Sequence, residues 1–248
     1  MKRIAMRVAY DGTAYHGWQI QDNALTVEQV LTETLRELLQ ENVELIGASR
    51  TDAGVHAKGN VAVFDTDTSI PGEKIAYALN SRLPEDIVVV QSKEVSTDFH
   101  PRYTKSSKTY EYRIWNKTFP DPILRKYTHF YYGKLDEKLM QEAADFLVGE
   151  HDFASFCSAG AQVQSTVREI YDIKITRKED ILTISITGNG FLYNMVRIIA
   201  GTLIEAGAGK YSGEKIKEIL EACDRSKAGP TAPACGLHLM RIDYPEEF

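Results

Sequence analysis

Three side chains that suit acid–base and anion chemistry stand close together early in the chain, in the stretch GASRTDAGVHA at residues 47–57. Arg50, Asp52 and His56 fall within seven residues, and small residues separate them. Gly54 permits a backbone turn that other residues resist, and small neighbours would let a large substrate approach the carboxylate. The stretch is therefore either a charged turn held by an Arg–Asp ion pair or a loop that delivers Asp52 to a substrate.

A second candidate is Arg197, which interrupts the apolar run FLYNMVRIIAGTL at residues 191–203. The pattern predicts a helix over 191–206 that is apolar on most faces and therefore buried. A buried guanidinium costs free energy unless a carboxylate or a phosphate meets it. Arg197 is accordingly either a partnered cation or a side chain that reaches the helix edge and places its charge in water.

The third candidate is a basic stretch with interleaved aromatic side chains, residues 97–126. It holds seven Lys or Arg against three Asp or Glu, whereas the whole chain has a formal net charge of −6. Cations mixed with stacking groups suit RNA, which makes Arg102, Lys105 and Lys108 candidate RNA-binding residues. The alternative is a solvated edge strand that lysines protect from further pairing. Tyr110 and Tyr112 share one face of the strand predicted here, a pattern more typical of a core or its rim than of catalysis.

Composition bounds the class of protein. With 248 residues, 43% hydrophobic and 26% charged, the chain is typical of one large or two small globular domains. Three cysteines without a C-x-x-C pair indicate neither a disulfide framework nor a zinc site. No run approaches the ~20 apolar residues of a membrane span, and the start MKRIAMRVAYDG lacks a signal-peptide pattern. We expect a cytoplasmic protein that has no membrane partner.

The predicted elements form two series of similar order. The first has strands at 4–10, 43–48, 60–65 and 87–95 and helices at 27–39 and 73–80, which is the split βαβ order β-α-β-β-α-β. The second has strands at 110–115, 170–176, 181–187 and 237–244, helices at 136–147 and 191–206, and extra elements at 127–132 and 213–222. We therefore expect an α+β fold of two units with largely antiparallel sheets around a central cleft, divided as 1–104 and 105–248.

One further stretch, VAVFDTDTS at residues 61–69, resembles the strand and acidic start of an aspartate-nucleophile phosphatase. Its fifth position after the strand is Ser69 where Thr or Val is expected, and no parallel βαβ succession follows. We interpret the stretch as a polar strand exit. A magnesium-dependent phosphatase that uses Asp65 remains a competing hypothesis.

Six motifs, taken in order, resemble those of the tRNA pseudouridine synthase A family across nearly the whole chain. They are YDGTAYHGWQIQ at 10–21, RTDAGVHA at 50–57, KTYEYRI at 108–114, DFASF at 152–156, FLYNMVRIIAGTL at 191–203 and APACGLHL at 232–239. Any one of them would be weak evidence, whereas six in the same order are specific.

The resemblance implies that uridine is isomerised to pseudouridine in the anticodon stem-loop of tRNA, at positions 38–40. The bond from the ribose to N1 of the base is broken and remade to C5. By the same resemblance Asp52 is the nucleophile, Arg197 its ion-pair partner, Tyr110 the residue near the base, and Arg50 a helper in extruding the nucleotide. It further implies two ferredoxin-like units, a homodimer, tRNA as the partner, and neither a metal nor an organic cofactor.

Two questions stay open at the level of sequence. The carboxylate of Asp52 could attack C6 of the base or C1′ of the sugar, and Tyr110 could stack on the uracil or transfer a proton. A hypothesis from a different class is an RNA-binding module of paired ferredoxin-like sheets without catalysis. Such modules carry aromatic RNP motifs, and none is recognised in this sequence.

Overall fold

The chain divides into two compact units in a computed structural model that describes residues 1–160, 163–245 and 248. Unit 1 comprises Met1–Ser106 together with Leu239–Phe248, and unit 2 comprises Ser107–His238. The sequence-based division assigned the whole of 105–248 to the second domain, whereas the structure groups Leu239–Phe248 with unit 1. The chain thus leaves unit 1 once and returns to it.

Unit 1 has the predicted order of elements. They are β1 (Lys2–Tyr10), α1 (Val27–Leu39), β2 (Ile46–Gly47), β3 (His56–Thr66), α2 (Ile75–Asn80) and β4 (Ile87–Val95). Strand β1 pairs antiparallel with both β3 and β4, and β2 pairs antiparallel with β3. The sheet of unit 1 therefore has β1 as an inner strand, and β4 follows the predicted bounds.

Helix α1 begins where the sequence pattern places it. The Thr26 hydroxyl accepts a hydrogen bond from the backbone N–H of Gln29 at 3.3 Å and so caps the first turn. Gln29 stands three residues after Thr26, which is the spacing of a capping box, but its side-chain amide donates to Glu33 at 2.9 Å. The buried face includes Val27, Leu31 and Leu35, which repeat at helical spacing.

Strand β2 is much shorter than the predicted 43–48. The backbone N–H of Val43 donates to Glu41 O at 3.1 Å, and Val43 O accepts from the Arg36 guanidinium at 3.1 Å. These bonds hold the start of the apolar run in a turn after α1, so that Ile46–Gly47 alone joins the sheet. Strand β3, in contrast, begins at His56 and not at residue 60.

Unit 2 contains β5 (Ser107–Asn116), β6 (His129–Tyr131), α3 (Glu137–Asp145), β7 (Gly149–Asp152), β8 (Val167–Lys178), β9 (Ile181–Gly188), α4 (Met195–Gly207) and α5 (Gly213–Ala222). Its strands follow the order β5-β9-β8-β7 with antiparallel neighbours, and β6 pairs parallel to β5. The expected α+β class with largely antiparallel pairing is confirmed. None of the helices in the described ranges is both long and apolar enough to cross a membrane.

Two elements of unit 2 differ from expectation. Helix α4 begins at Met195, four residues later than predicted, because Asn194 adopts the left-handed conformation with φ 60° and so cannot continue a helix. Strand β7 was not predicted, since its four residues GEHD show no apolar alternation.

The last strand is β10 (Leu237–Asp243), and most of it belongs to unit 1. It neighbours β3. A side chain at Gly59 in β3 would lie 2.8 Å from the backbone oxygen of Met240, so this strand pair tolerates only glycine there without a shift.

Candidate active site

The Asp52 loop, defined here as residues 48–55, connects β2 to β3 in unit 1. Asp52 is half-buried, and its backbone oxygen accepts from Val55 N–H at 3.1 Å. Gly54 stands within this turn with φ +77°, a conformation that favours glycine, as the sequence predicted. The Gly54 N–H donates to Tyr15 O at 3.3 Å, which ties the turn to the segment after β1.

The opening motif YDGTAYHGWQ packs against this loop and forms hydrogen bonds to it. The Tyr10 and Thr51 hydroxyls are 2.7 Å apart and buried, and the backbone N–H of Trp18 donates to Thr51 O at 3.0 Å. Thr51 is therefore held through both its side chain and its backbone. Because Asp52 is the next residue, its position depends on these contacts.

Two glycines of the same motif allow the close approach. A Cβ at Gly12 would lie 2.0 Å from the backbone oxygen of Val55, and one at Gly17 would lie 2.5 Å from that of Thr51. Gly17 also has φ +89°, which side chains rarely adopt. In the sequence, this motif contributes only to the family resemblance. Its two glycines, Gly12 and Gly17, were the sequence signal that another backbone segment packs closely against the motif.

His56 is buried at the start of β3, where its Nδ1 contacts the turn that follows β1. The Gly12 N–H donates to His56 Nδ1 at 3.1 Å, and Asp11 Oδ1 lies 3.2 Å from the same nitrogen. Asp11 also accepts from the backbone N–H and the hydroxyl of Thr13. His56 thus joins the base of the Asp52 loop to the turn after β1.

The candidate RNA-binding residues lie on both units. Arg50, Arg102 and Lys105 are exposed in unit 1, and Lys108 is half-buried at the start of β5 in unit 2. Arg102 donates from Nε to Gly47 O at 2.7 Å. This bond fastens the basic stretch to the residue that immediately precedes the Asp52 loop.

The other two catalytic candidates lie in unit 2. Tyr110 is buried on β5, where its ring packs edge-on against Phe191 with centroids 5.3 Å apart. Tyr112, two residues along the strand, is fully buried and donates to Pro233 O at 2.9 Å. Burial raises the pKa of Tyr112 far above its ordinary value. Tyr112 is therefore a core residue. Its fixed ring lies on the same face of the strand as Tyr110.

Arg197 is half-buried in the first turn of α4, and hydrogen bonds fix its guanidinium. Nε donates to Ala232 O at 2.8 Å, and Nη1 donates to Asn194 Oδ1 at 2.9 Å. Asn194 in turn donates from Nδ2 to the Ser158 hydroxyl at 2.9 Å. These bonds orient the guanidinium, so Arg197 does not extend freely into water as a helix-edge side chain would.

Asp65 is the nucleophile of the competing phosphatase hypothesis, and its carboxylate forms an ion pair with Arg3. Arg3 donates to its two carboxylate oxygens from Nε at 2.8 Å and from Nη2 at 2.7 Å. This pairing lowers the pKa of Asp65 below its ordinary value. A bidentate ion pair ties up both oxygens, which disfavours nucleophilic attack from Asp65.

The comparisons with known proteins agree with the six motifs. A family model described as tRNA pseudouridine synthase matches residues 6–104 and 143–245, which include Asp52 and Arg197, while Tyr110 falls between the two matched segments. The chain is 50% identical over 244 residues to "tRNA pseudouridine synthase A" of Thermoanaerobacter sp. (strain X514), covering 98% of this chain and 100% of the relative.

Two other relatives with the same name are equally well covered. The protein of Ruminiclostridium cellulolyticum is 51% identical over 245 residues, and that of Acetivibrio thermocellus is 48% identical over 244 residues. In both cases 98% of this chain and 100% of the relative are aligned. Similarity of this extent, together with the glycine-framed aspartate loop, shows that the chain belongs to the tRNA pseudouridine synthase family, whose members isomerise uridine to pseudouridine in tRNA.

Proposed function

We propose that this chain isomerises uridine to pseudouridine at positions 38–40, in the anticodon stem-loop of tRNA, with Asp52 as the nucleophile. The observation that carries the proposal is the construction of the Asp52 loop. A half-buried carboxylate follows Thr51, whose hydroxyl and backbone oxygen are both fixed by the opening motif. A carboxylate carried on a backbone fixed in this way suits attack on a bound substrate better than it suits a solvated turn.

The reaction needs an ionised carboxylate. Asp52 attacks either C6 of the base or C1′ of the ribose, the bond between N1 and C1′ breaks, and a bond between C5 and C1′ forms. C5 then loses its proton, and N1 gains one. Water is not a reactant, so a second carboxylate of the kind that glycosidases use is not required.

In this proposal Arg197 is the ion-pair partner of Asp52. A guanidinium close to a carboxylate favours its charged form, which burial alone would disfavour. The two hydrogen bonds to Ala232 and Asn194 support this role, because they orient the guanidinium within an otherwise apolar helix. A planar fork of donors oriented in this way matches the geometry of a carboxylate.

Tyr110 is proposed to lie against the uracil. Its ring is held edge-on by Phe191 and is nearly inaccessible, which supports a fixed orientation. The hydroxyl could accept or donate the proton that moves when C5 is released. As a general base a tyrosine is poorly matched to neutral pH, since its ordinary pKa is about 10.

The proposed RNA contacts are Arg50, Arg102, Lys105 and Lys108. A uridine in a stem must leave the stack before it can react, at a cost of about a few kcal/mol. We propose that Arg50 holds the extruded nucleotide and that the other three contact phosphates. Their support is the exposure of Arg102 and Lys105, and the bond from Arg102 to Gly47, which keeps the basic stretch beside the Asp52 loop.

We further propose that the two units are ferredoxin-like around a central cleft and that the protein acts in the cytoplasm as a homodimer without a metal or cofactor. The pairing within unit 1 supports the first part. Ala62 and Val63 of β3 pair with β1 on one side and with β2 on the other, and β4 pairs with β1. This gives the strand order β4-β1-β3-β2 with antiparallel neighbours.

The test uses a tRNA substrate that carries tritium at C5 of its uridines. The wild-type protein should release tritium into water and leave pseudouridine at positions 38–40, whereas Asp52→Asn and Asp52→Ala should release none while still binding tRNA. Asp65→Asn is the matched control and should retain activity, because Asp65 is engaged by Arg3. Tritium release by Asp52→Asn at the wild-type rate would refute the nucleophile, and no release by the wild type would indicate a binding protein.

A further inference from the structure

Arg168 stands near the start of β8 in unit 2 and has an unusual set of partners. It is half-buried, and Nη1 donates to two backbone oxygens of its own segment, Ser165 O at 2.9 Å and Val167 O at 2.6 Å. Within residues 1–160, 163–245 and 248, no Asp or Glu forms an ion pair with it, and its Nε and Nη2 make no hydrogen bond.

Several other arginines of the chain have a carboxylate partner. Arg3 pairs with Asp65, Arg113 with Glu111 and Arg177 with Glu137. Burial lowers the pKa of Arg168 below its ordinary value, the direction expected of a cation removed from water without an anion. Half-burying a charge without a counter-charge costs free energy. Arg168 is therefore a cation for which the described residues of this unit provide no carboxylate.

The surroundings of Arg168 connect it to the candidate site. The turn before α4, Gly188–Gly190, is fixed to β8 because Asn189 and Glu169 exchange two hydrogen bonds of 3.0 and 3.1 Å. A Cβ at Gly190 would lie 3.9 Å from Cδ and Nε of Arg168. The guanidinium thus lies beside a turn that carries no side chain on that face, and the same turn leads into the helix of Arg197.

A second connection runs through the segment after Phe156. Burial raises the pKa of the Cys157 thiol and the charge of Arg168 partly opposes that shift, while the next residue, Ser158, accepts a hydrogen bond from Asn194. Asn194 is also the acceptor for Arg197. Arg168 and Arg197 therefore flank one small group of residues, Cys157, Ser158 and Asn194, within unit 2.

We propose that Arg168 binds a backbone phosphate of the tRNA substrate next to the nucleotide that reacts, an inference that rests on the proposed function. The Nε–Nη2 edge is the one that arginine uses for two parallel bonds to a phosphate. The phosphate supplies the anion that the described residues of unit 2 do not, and the absence of a side chain at Gly190 leaves space beside the guanidinium. In this role Arg168 is a substrate-binding residue and takes no part in bond making.

The test measures tRNA binding by Arg168→Gln and Arg168→Lys over a range of salt concentrations, with Lys174→Gln as the control. Lys174 is exposed on the same strand, so this control removes one positive charge without touching the Arg168 site. We expect Arg168→Gln to raise the Kd and KM for tRNA about tenfold and to reduce the slope of log K against log salt by about one. The kcat should change little. Arg168→Lys should restore the salt slope but only part of the affinity, because lysine lacks the fork.

An unchanged Kd and salt slope in Arg168→Gln would overturn the proposal, as would an equal change in Lys174→Gln, which would indicate a general field effect. If Arg168→Gln does not fold, as judged by its thermal transition, Arg168→Lys decides: wild-type affinity from the lysine variant would refute the bidentate contact. Binding is measured without turnover. A wild type that binds tRNA but forms no pseudouridine would therefore defeat the proposed function and still leave Arg168 tested.

Discussion

The hydroxyl groups of Tyr10 and Thr51 lie 2.7 Å apart in the buried interior of unit 1. The contact joins the last residue of β1 to the residue that precedes the proposed nucleophile. It is one of the bonds through which the opening motif holds the Asp52 loop. Two others join Trp18 N–H to Thr51 O and Gly54 N–H to Tyr15 O. The position of Asp52 is thus determined largely by residues some forty positions away.

Replacing either member of this hydroxyl pair should affect stability and turnover together. Tyr10→Phe and Thr51→Val should each lower the free energy of unfolding by about 1 kcal/mol, since each leaves a buried hydroxyl without this partner. The kcat should fall several-fold while the KM for tRNA stays near the wild-type value. Urea denaturation and initial rates of tritium release measure the two effects. The double variant should be less impaired than the sum of the singles, and strict additivity would show that the contact does not couple the two residues.

Arg197→Lys should abolish most activity at neutral pH although it conserves the charge. Lysine cannot donate simultaneously to Ala232 O and Asn194 Oδ1 and still present a planar edge to a carboxylate. We expect the kcat to fall at least about a hundredfold, the order of loss on removing one oriented donor from a catalytic site. Single-turnover rates at saturating enzyme separate this effect from tRNA binding. Full activity in Arg197→Lys would refute the ion-pair role.

Tyr110→Phe separates stacking from proton transfer. The phenylalanine ring keeps the edge contact with Phe191, so binding of tRNA should be unchanged in either case. If the hydroxyl transfers the proton, release of tritium from C5 should fall by about 10²-fold or more. If turnover is unaffected, the ring acts only by contact with the base. Tyr110→Ala is the comparison that should impair both binding and turnover.

The Arg3–Asp65 pair predicts a dependence of stability on pH. The folded-state pKa of Asp65 is lowered, chiefly by the hydrogen bond from Arg3, so the pair stabilises the fold above the unfolded pKa, and that contribution is lost as pH falls through the lower folded value. Asp65→Asn should therefore unfold more easily than the wild type at pH 7, by about 1 kcal/mol or less for a partly exposed pair.

The difference should shrink as the pH is lowered through the region below pH 3.8, where the carboxylate becomes protonated in the folded state. Urea midpoints at pH 7, 5, 3 and 2 test this expectation. Asp22→Asn, at an exposed position, is the control and should match the wild type throughout. A constant gap between Asp65→Asn and the wild type down to pH 2 would rule out the linkage.

Sequence patterns predicted well those elements whose signals are local. Strand β4 and helix α5 have the predicted bounds, because a run of β-branched apolar residues begins β4 and the Ser212 hydroxyl accepts from Lys215 N–H at the start of α5. The start of α4 was placed four residues early, since the left-handed conformation of Asn194 has no signature in an apolar run. Strand β7 forms because it pairs with β8, and the residues of β7 alone do not indicate that pairing.

The candidate site shows the same limit more clearly. Residue types alone indicated Asp52, Arg197 and the basic stretch as candidates, yet for the Asp52 stretch they favoured an ordinary charged turn. The frame of the loop depends on contacts such as Gly12 against Val55 and Tyr10 against Thr51, which join residues far apart in sequence. Periodicity and spacing within one motif carry no information on such contacts.

The return of β10 to unit 1 has a consequence for how the protein is made. Strand β3, which begins at the end of the Asp52 loop, has β10 as one neighbour, and the chain builds the whole of unit 2 between them. Most of unit 2 is therefore synthesised while one edge of β3 still lacks its final strand. Unit 1 is synthesised first, but its sheet is complete only when β10 has been made. The aspartate loop should therefore reach its native conformation only after nearly all of the chain has emerged.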